Sequence, residues 1–212
     1  MPRLHVITTA EILARPEFVG DARGILALDG VALHLRARGD NGRLLLDLAT
    51  ALRAELRAAG ALLVNDRVDV ARITGAGAHL PEAGLTPFRA RTILGRNALL
   101  GRSVHGHEAA AEGLPHLDYL LFGHVLPTAS KPGLPPAGPQ GLARVAAAVG
   151  GVPVIAVGGV TPPAVSALVE AGAYGVAAIS GIWDAADPAR AAAGYLDALA
   201  AGGVEPAAEG RA

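Results

Sequence analysis

The stretch Val154-Ile155-Ala156-Val157-Gly158-Gly159-Val160-Thr161-Pro162-Pro163 decides the fold. Its four opening apolar residues show no polar alternation, which reads as a strand buried on both faces, as in a parallel sheet covered by helices. Two glycines end that strand in a turn, and Thr161-Pro162 opens a helix. The arrangement returns one unit later in Ala178-Ile179-Ser180-Gly181. The wider stretch from Val145 to Val169 carries no charged residue. Gly150-Gly151, Pro153, Gly158-Gly159 and Pro162-Pro163 break it, so it reads as a helix end, a buried strand, a glycine turn and a new helix rather than a membrane span.

Working outward, short apolar runs alternate with Ala/Leu/Arg-rich amphipathic stretches. Strands are expected at Leu4–Ile7, Val31–Leu35, Ala61–Val64, Ala76–Leu80, Ala98–Gly101, Tyr119–Phe122, Val154–Val157 and Gly175–Ile179. Helices are expected near 17–28, 43–59, 67–74, 86–94, 107–113, 139–149, 161–171 and 184–201. Eight strand–helix units point to an α/β protein, a single (β/α)8 (TIM) barrel over residues 1–203, with 204–212 a flexible C-terminal tail. Such barrels carry their chemistry at the carboxyl ends of the strands. Polar residues that stand out from the composition fall there: His34 and Arg36, Asn65 and Asp66, Glu82, Ser103 and His105, then His124, Thr128, Ser130 and Lys131.

The 212 residues are 51% hydrophobic and 17% charged, which excludes disorder as the main state. Aromatics are 3%, so the core must be built from Ala, Val, Leu and Ile. A net charge of −1 lacks the basic excess that nucleic-acid binding requires. The absence of cysteine excludes disulfides, thiolate metal sites and cysteine nucleophiles. The N-terminal apolar run is too short for a signal-peptide core, and with no membrane segment a cytoplasmic protein is the default expectation.

Glycines let backbone N–H groups approach an anion, and a following helix start adds partial positive charge. Gly158, Gly159, Ile179, Ser180 and Gly181 are therefore candidate phosphate-binding residues, against the plainer reading of tight turns. His124, in Phe122-Gly123-His124-Val125, is the candidate acid/base group. Lys131 is the chain's single lysine against 17 arginines, in a long Pro127–Pro136 loop that could lie over the site as a lid. Alternation places His34, Arg36 and Arg38 on one face if their strand persists, a pair of arginines suited to an anionic substrate. The same alternation gives Ser103 and His105 a shared orientation, with hydrogen-bonding roles preferred over nucleophilic ones. Asp66 is expected as the N-cap of the helix from Arg67 rather than as a metal ligand, and no metal or other cofactor is expected.

Several motifs together resemble the thiamine phosphate synthase superfamily from about residue 31 to 183. They are Leu33-His34-Leu35-Arg36, Val64-Asn65-Asp66-Arg67, Gly101-Arg102-Ser103-Val104-His105, Leu121-Phe122-Gly123-His124, Pro127-Thr128-Ala129-Ser130-Lys131-Pro132-Gly133 and Pro153-Val154-Ile155-Ala156-Val157-Gly158-Gly159. The resemblance implies a barrel that binds a thiazole phosphate, often as a homodimer. Two branches differ at particular positions. Synthases join a pyrimidine diphosphate to the thiazole phosphate with magnesium, using Asp at the positions matching Asp66 and Gly84, and here the second is lost. The thiazole tautomerase (TenI) branch has His at the positions of His34 and His124, and the chain is closer to it there. The expectation is thus a tautomerase that aromatises a 2-carboxy-4-methylthiazol-5-ylidene ethyl phosphate to the carboxythiazole phosphate, with His124 moving the proton. Asn65, Ser103, Thr128, Ser130 and Lys131 join His34, Arg36 and Arg38 as substrate-binding candidates. A metal-dependent thiamine phosphate synthase is the alternative, and a non-catalytic phosphate-binding protein a third.

Overall fold

The computed structural model describes residues 1–39, 41–53 and 61–202. Eight parallel strands close into one barrel in sequence order, β1 (Leu4–Ile7), β2 (Val31–Leu35), β3 (Ala61–Asn65), β4 (Gly77–Leu80), β5 (Leu100–Val104), β6 (Tyr119–Gly123), β7 (Val154–Val157) and β8 (Gly175–Ala178). The last strand pairs with the first, Leu4 opposite Val176. Around it lie α1 (Ala10–Leu13), α2 (Phe18–Leu26), α3 (Gly42–Arg53), α4 (Val68–Thr74), α5 (Pro87–Leu94), α6 (His107–Ala111), α7 (Gly138–Ala148), α8 (Val165–Glu170), α9 (Ser180–Trp183) and α10 (Pro188–Ala201). The expected (β/α)8 barrel is the fold found. The expected part of the third helix beyond residue 53, and the domain limit at 203 with its tail, lie outside the described residues.

Strand alternation splits the buried residues into two sets. Leu4, Val6, Leu33, Val64, Leu120 and Ala156 face outward into the helix layer. Ile7, Ala32, Leu63, Tyr119, Leu121, Ile155 and Ala177 fill the barrel lumen. This double burial is why the strands read as continuous apolar runs. Space for the lumen's rings comes from small residues on facing strands. A Cβ on Gly101 would sit 2.0 Å from Cζ of Tyr119, so the tyrosine ring occupies the volume that β5 leaves empty.

The fifth strand departs from its expected bounds, whereas the second keeps the bounds expected of it. The fifth strand begins at Leu100 and runs to Val104, later than Ala98–Gly101, because Leu100 N–H is tied to the Asp118 carboxylate (2.7 Å) and Ala98 C=O to Arg91 (2.6 Å). The second strand stops at Leu35, where Thr8 bridges it: Arg36 N–H donates to Thr8 Oγ1 at 2.8 Å. His34, Arg36 and Arg38 therefore do not share one strand face.

Candidate active site

At the carboxyl end of the barrel the two glycine turns lie open to solvent. Gly158 and Gly159 have φ of +97° and +69°, the left-handed region where glycine carries no Cβ penalty. Their lack of side chains is also a packing requirement. A Cβ on Gly158 would fall 2.4 Å from Cβ of His124, and one on Gly159 would fall 2.2 Å from the Pro127 carbonyl oxygen. The segment after β6 continues its pairing onto this turn, Val125 N–H donating to Val157 O (2.9 Å) and Leu126 N–H to Gly158 O (3.0 Å). His124 thus stands at the barrel mouth against the first glycine turn. Its Nε2 lies 3.2 Å from Leu134 O, an N–H donor to the loop that follows.

The second turn is α9, whose first residues Ser180 and Gly181 are exposed while Ile179 is half-buried. No backbone carbonyl among the described residues accepts from the N–H groups of Gly159, Ser180 or Gly181. Two aromatic side chains brace these turns, and sequence reading did not single them out. Tyr195 of α10 donates its hydroxyl hydrogen to Val160 O at 2.9 Å, and that hydroxyl is where a Gly181 Cβ would go, at 2.3 Å. Trp183 donates Nε1–H to Ile7 O at 3.0 Å, fastening α9 to β1.

After β1 and β2, which follow β8 around the closed sheet, Arg36 and Arg38 line an open groove with Thr9, Ala10 and Glu11. Burial, then the neighbouring Arg38 charge, pushes the Arg36 pKa down, a cost that an incoming anion relieves. In the loop, Thr128 and Ser130 pair with each other at 3.2 Å, and Lys131 is half-buried, its N–H on Thr128 O.

His34 does not face the mouth. It is wholly buried in the lumen, with Nε2 2.8 Å from Nδ1 of His5 and Nδ1 3.1 Å from Asn65 Oδ1. Beside it, His79 places Nδ1 2.9 Å from the Tyr119 hydroxyl and Nε2 2.8 Å from Ser103 Oγ. Four rings thus fill the lumen beneath the site, with His34 and His79 centroids 5.1 Å apart and His5 and Tyr119 4.8 Å apart. Desolvation lowers all three imidazole pKa values, that of His34 to about 4, so they are neutral. Ser103 and His105 part company: Ser103 turns inward to His79, while exposed His105 pairs with Glu82 (Nδ1 to Oε2 2.7 Å, backbone N–H to Oε1 3.0 Å).

Asp66 is not a helix N-cap. It sits at φ +62°, its N–H donates to His79 O, and Arg67 occupies the cap position. Its carboxylate is exposed at the mouth, and Oδ1 lies 3.7 Å from where a Cβ on Gly84 would stand. Glu82 is committed to His105, and no cluster of three or more His, Asp or Glu suited to a metal occurs among the described residues. A magnesium ion caged by protein alone does not fit. One held by the single Asp66 carboxylate, diphosphate oxygens of a substrate and water does, since magnesium binds through one or two carboxylates plus substrate phosphates.

A family described as Thiamine monophosphate synthase matches residues 4–182. The chain belongs to the thiamine monophosphate synthase family. Among its relatives, the thiamine-phosphate synthase of Salinispora arenicola (strain CNS-205) is 43% identical over 202 residues, covering 93% of this chain and 97% of the relative. That of Chlorobium luteolum (strain DSM 273 / BCRC 81028 / 2530) is 39% identical over 164 residues, 76% of this chain and 77% of the relative. A solved thiamine phosphate pyrophosphorylase from Pyrococcus furiosus superposes with a TM-score of 0.81 at 28% identity, covering 94% of this chain and 96% of that one. The Salinispora and Chlorobium relatives carry the synthase name, so kinship favours the synthase alternative over the tautomerase branch that His34 and His124 suggest. Within the described residues of this family member, no helix is long and apolar enough to cross a membrane.

Proposed function

We propose that this family member joins a pyrimidine diphosphate to a thiazole phosphate, forming thiamine phosphate. The observation that carries the reading is the 43% identity extending over 97% of a relative named for that reaction. The N–H groups of Gly159, Ser180 and Gly181, which meet no backbone acceptor among the described residues, hold the thiazole's phosphate. Arg36 and Arg38, with Lys131 from the loop, take the more highly charged diphosphate. Asn65 and Ser103 hydrogen-bond the rings between. With both anchored, the thiazole nitrogen attacks the exocyclic methylene of the pyrimidine. The C–N bond forms, the C–O bond breaks, and diphosphate departs with its electron pair. The protein's part is to align nitrogen, carbon and leaving oxygen and to exclude water. Magnesium bound by Asp66 and the diphosphate would neutralise charge on the leaving group.

A second reading, the tautomerase, is favoured by Gly84 opposite Asp66 and by His124 against the glycine turn. There His124 would take the C2 proton of an ylidene carboxythiazole phosphate, and the exocyclic carbon would receive one. One experiment separates the two. The protein is incubated with both phosphorylated halves and magnesium, and separately with the ylidene phosphate in deuterated water without metal. Magnesium-dependent thiamine phosphate formation supports the synthase. Deuterium incorporation with no coupled product replaces it with the tautomerase.

A further inference from the structure

The lumen rings beneath the site are more than filling. We infer that His79, held by the Tyr119 hydroxyl, is a positioning residue that fixes Ser103 as a hydrogen-bond donor into the barrel mouth. This rests on reading the mouth as the substrate site. Tyr119 is wholly buried, and its hydroxyl's hydrogen-bond partner among the described residues is Nδ1 of His79, 2.9 Å away. His79 is almost wholly buried and neutral, so it carries one ring proton. If that proton were on Nδ1 it would point at the tyrosine oxygen, and the buried phenol hydrogen would have no acceptor. A buried donor without a partner is strongly disfavoured. The satisfied arrangement has the phenol hydrogen on Nδ1 and the ring proton on Nε2, which then donates to Ser103 Oγ across 2.8 Å. An acceptor role toward His79 leaves the Ser103 hydroxyl hydrogen free to turn outward.

The half-exposed Ser103 lies at the carboxyl end of β5, next to β6, which His124 follows. Its outward hydrogen selects an acceptor on the ligand: a phosphate or carboxylate oxygen, or a ring nitrogen lone pair. The tyrosine can serve because Gly101 gives its ring room; a methyl there would overlap Cζ. Three residues from three strands thus set the direction of one proton.

The test begins with nitrogen-proton correlation spectra of the imidazoles in the ligand-free, full-length protein. The expected result is a His79 ring proton on Nε2, and a proton on Nδ1 overturns the inference whatever the reaction proves to be. Tyr119→Phe keeps the ring over Gly101 and removes only the hydroxyl, and it should give a mixture of both His79 tautomers. The functional arm is a double-mutant cycle on kcat/KM with the reaction found active above. Ser103→Ala should lower kcat/KM by about two- to tenfold in the native protein, the range of one neutral hydrogen bond. In the Tyr119→Phe background the same substitution should have under half that effect on a logarithmic scale. Full additivity would overturn the positioning role. If neither reaction occurs, the proposed function fails, while the spectrum still decides the tautomer.

Discussion

At the scale of single residues, Asp66 and Gly84 decide how the site handles charge. The left-handed backbone of Asp66 presents a carboxylate toward Gly84, in a turn whose own carboxylate, Glu82, is committed to His105. Under the synthase reading, Asp66→Asn should cut magnesium-dependent coupling at least about tenfold, since charge neutralisation of the leaving group is worth several kcal/mol. Gly84→Asp should act in the opposite direction. A Cβ there comes 2.9 Å from Cγ of Pro81, so this exposed turn must shift slightly, but the new carboxylate would then face Asp66. The magnesium concentration for half-maximal rate should fall by about tenfold as ligand charge doubles. Initial rates across a magnesium titration check both, and an unchanged midpoint in Gly84→Asp would remove Asp66 as the metal's carboxylate. Gly158 tests the other side of the mouth. Gly158→Ala places a methyl at φ +97° and 2.4 Å from His124 Cβ, so it should destabilise the fold by about 1–3 kcal/mol and displace the His124 loop. Denaturant midpoints give the first, and the His124 ring resonances the second.

At the level of elements, the site is assembled from strand ends. The glycine turns after β7 and β8 were legible in the sequence because apolar runs breaking into glycine have one physical meaning. The brace that joins them was not. Tyr195 sits in α10, 35 residues from Val160, and the pairing of β7 with β8 and the packing of α10 on α8 bring them together. Strand ends were the weakest part of the reading for the same reason. Asp118 capping Leu100 is a contact between segments that moves β5 later than expected, whereas β2 ends at Leu35 as its apolar run predicts, with Thr8 gripping Arg36 just beyond it. Asp66 was misread because Asp before a helix suits an N-cap, whereas its tie to the His79 carbonyl holds it in a left-handed turn. The brace makes a prediction at this scale. Tyr195→Phe leaves the nearly buried Val160 carbonyl without its donor, costing about 1–3 kcal/mol. Because Tyr195 touches both turns, affinity for thiazole phosphate should weaken along with stability. Titration calorimetry against the thiazole phosphate checks this, and a variant that loses stability yet binds with native affinity would show that the brace does not shape the cradle.

For the whole molecule, the barrel's closure turns separate histidines into one buried cluster. Three of its rings come from three strands, and alternation alone did not say which strand face would be the lumen, so His5 and His79 passed as ordinary strand residues and His34 was placed at the mouth. Once the sheet closes, all three imidazoles leave water together, and this gives the fold an acid limit. In the unfolded chain they titrate near 6.5. In the barrel, desolvation first holds His34 at about 4 and puts His5 and His79 well below their ordinary value, with the His34 charge adding to the last two. A histidine with a depressed folded pKa takes up its proton more readily when unfolded. Stability is therefore level above about pH 7 and falls as pH drops below 6.5, continuing down to the folded values. Each neutral-buried imidazole contributes a slope of up to about 1.4 kcal/mol per pH unit, so three together approach about 4. Carboxylates such as Glu82, which His105 holds below the usual range against the upward push of burial, enter only at lower pH. The window from pH 6.5 to 5 thus isolates the histidines. Urea midpoints at fixed ionic strength across pH 7.5 to 5 should decline throughout the lower half of that range. His5→Gln removes one of the three titrating groups and should reduce the slope by about a third. A stability flat from pH 7 to 5 would mean that these imidazoles keep water or charge inside the barrel, and the neutral cluster on which the orientation of Ser103 depends would go with it.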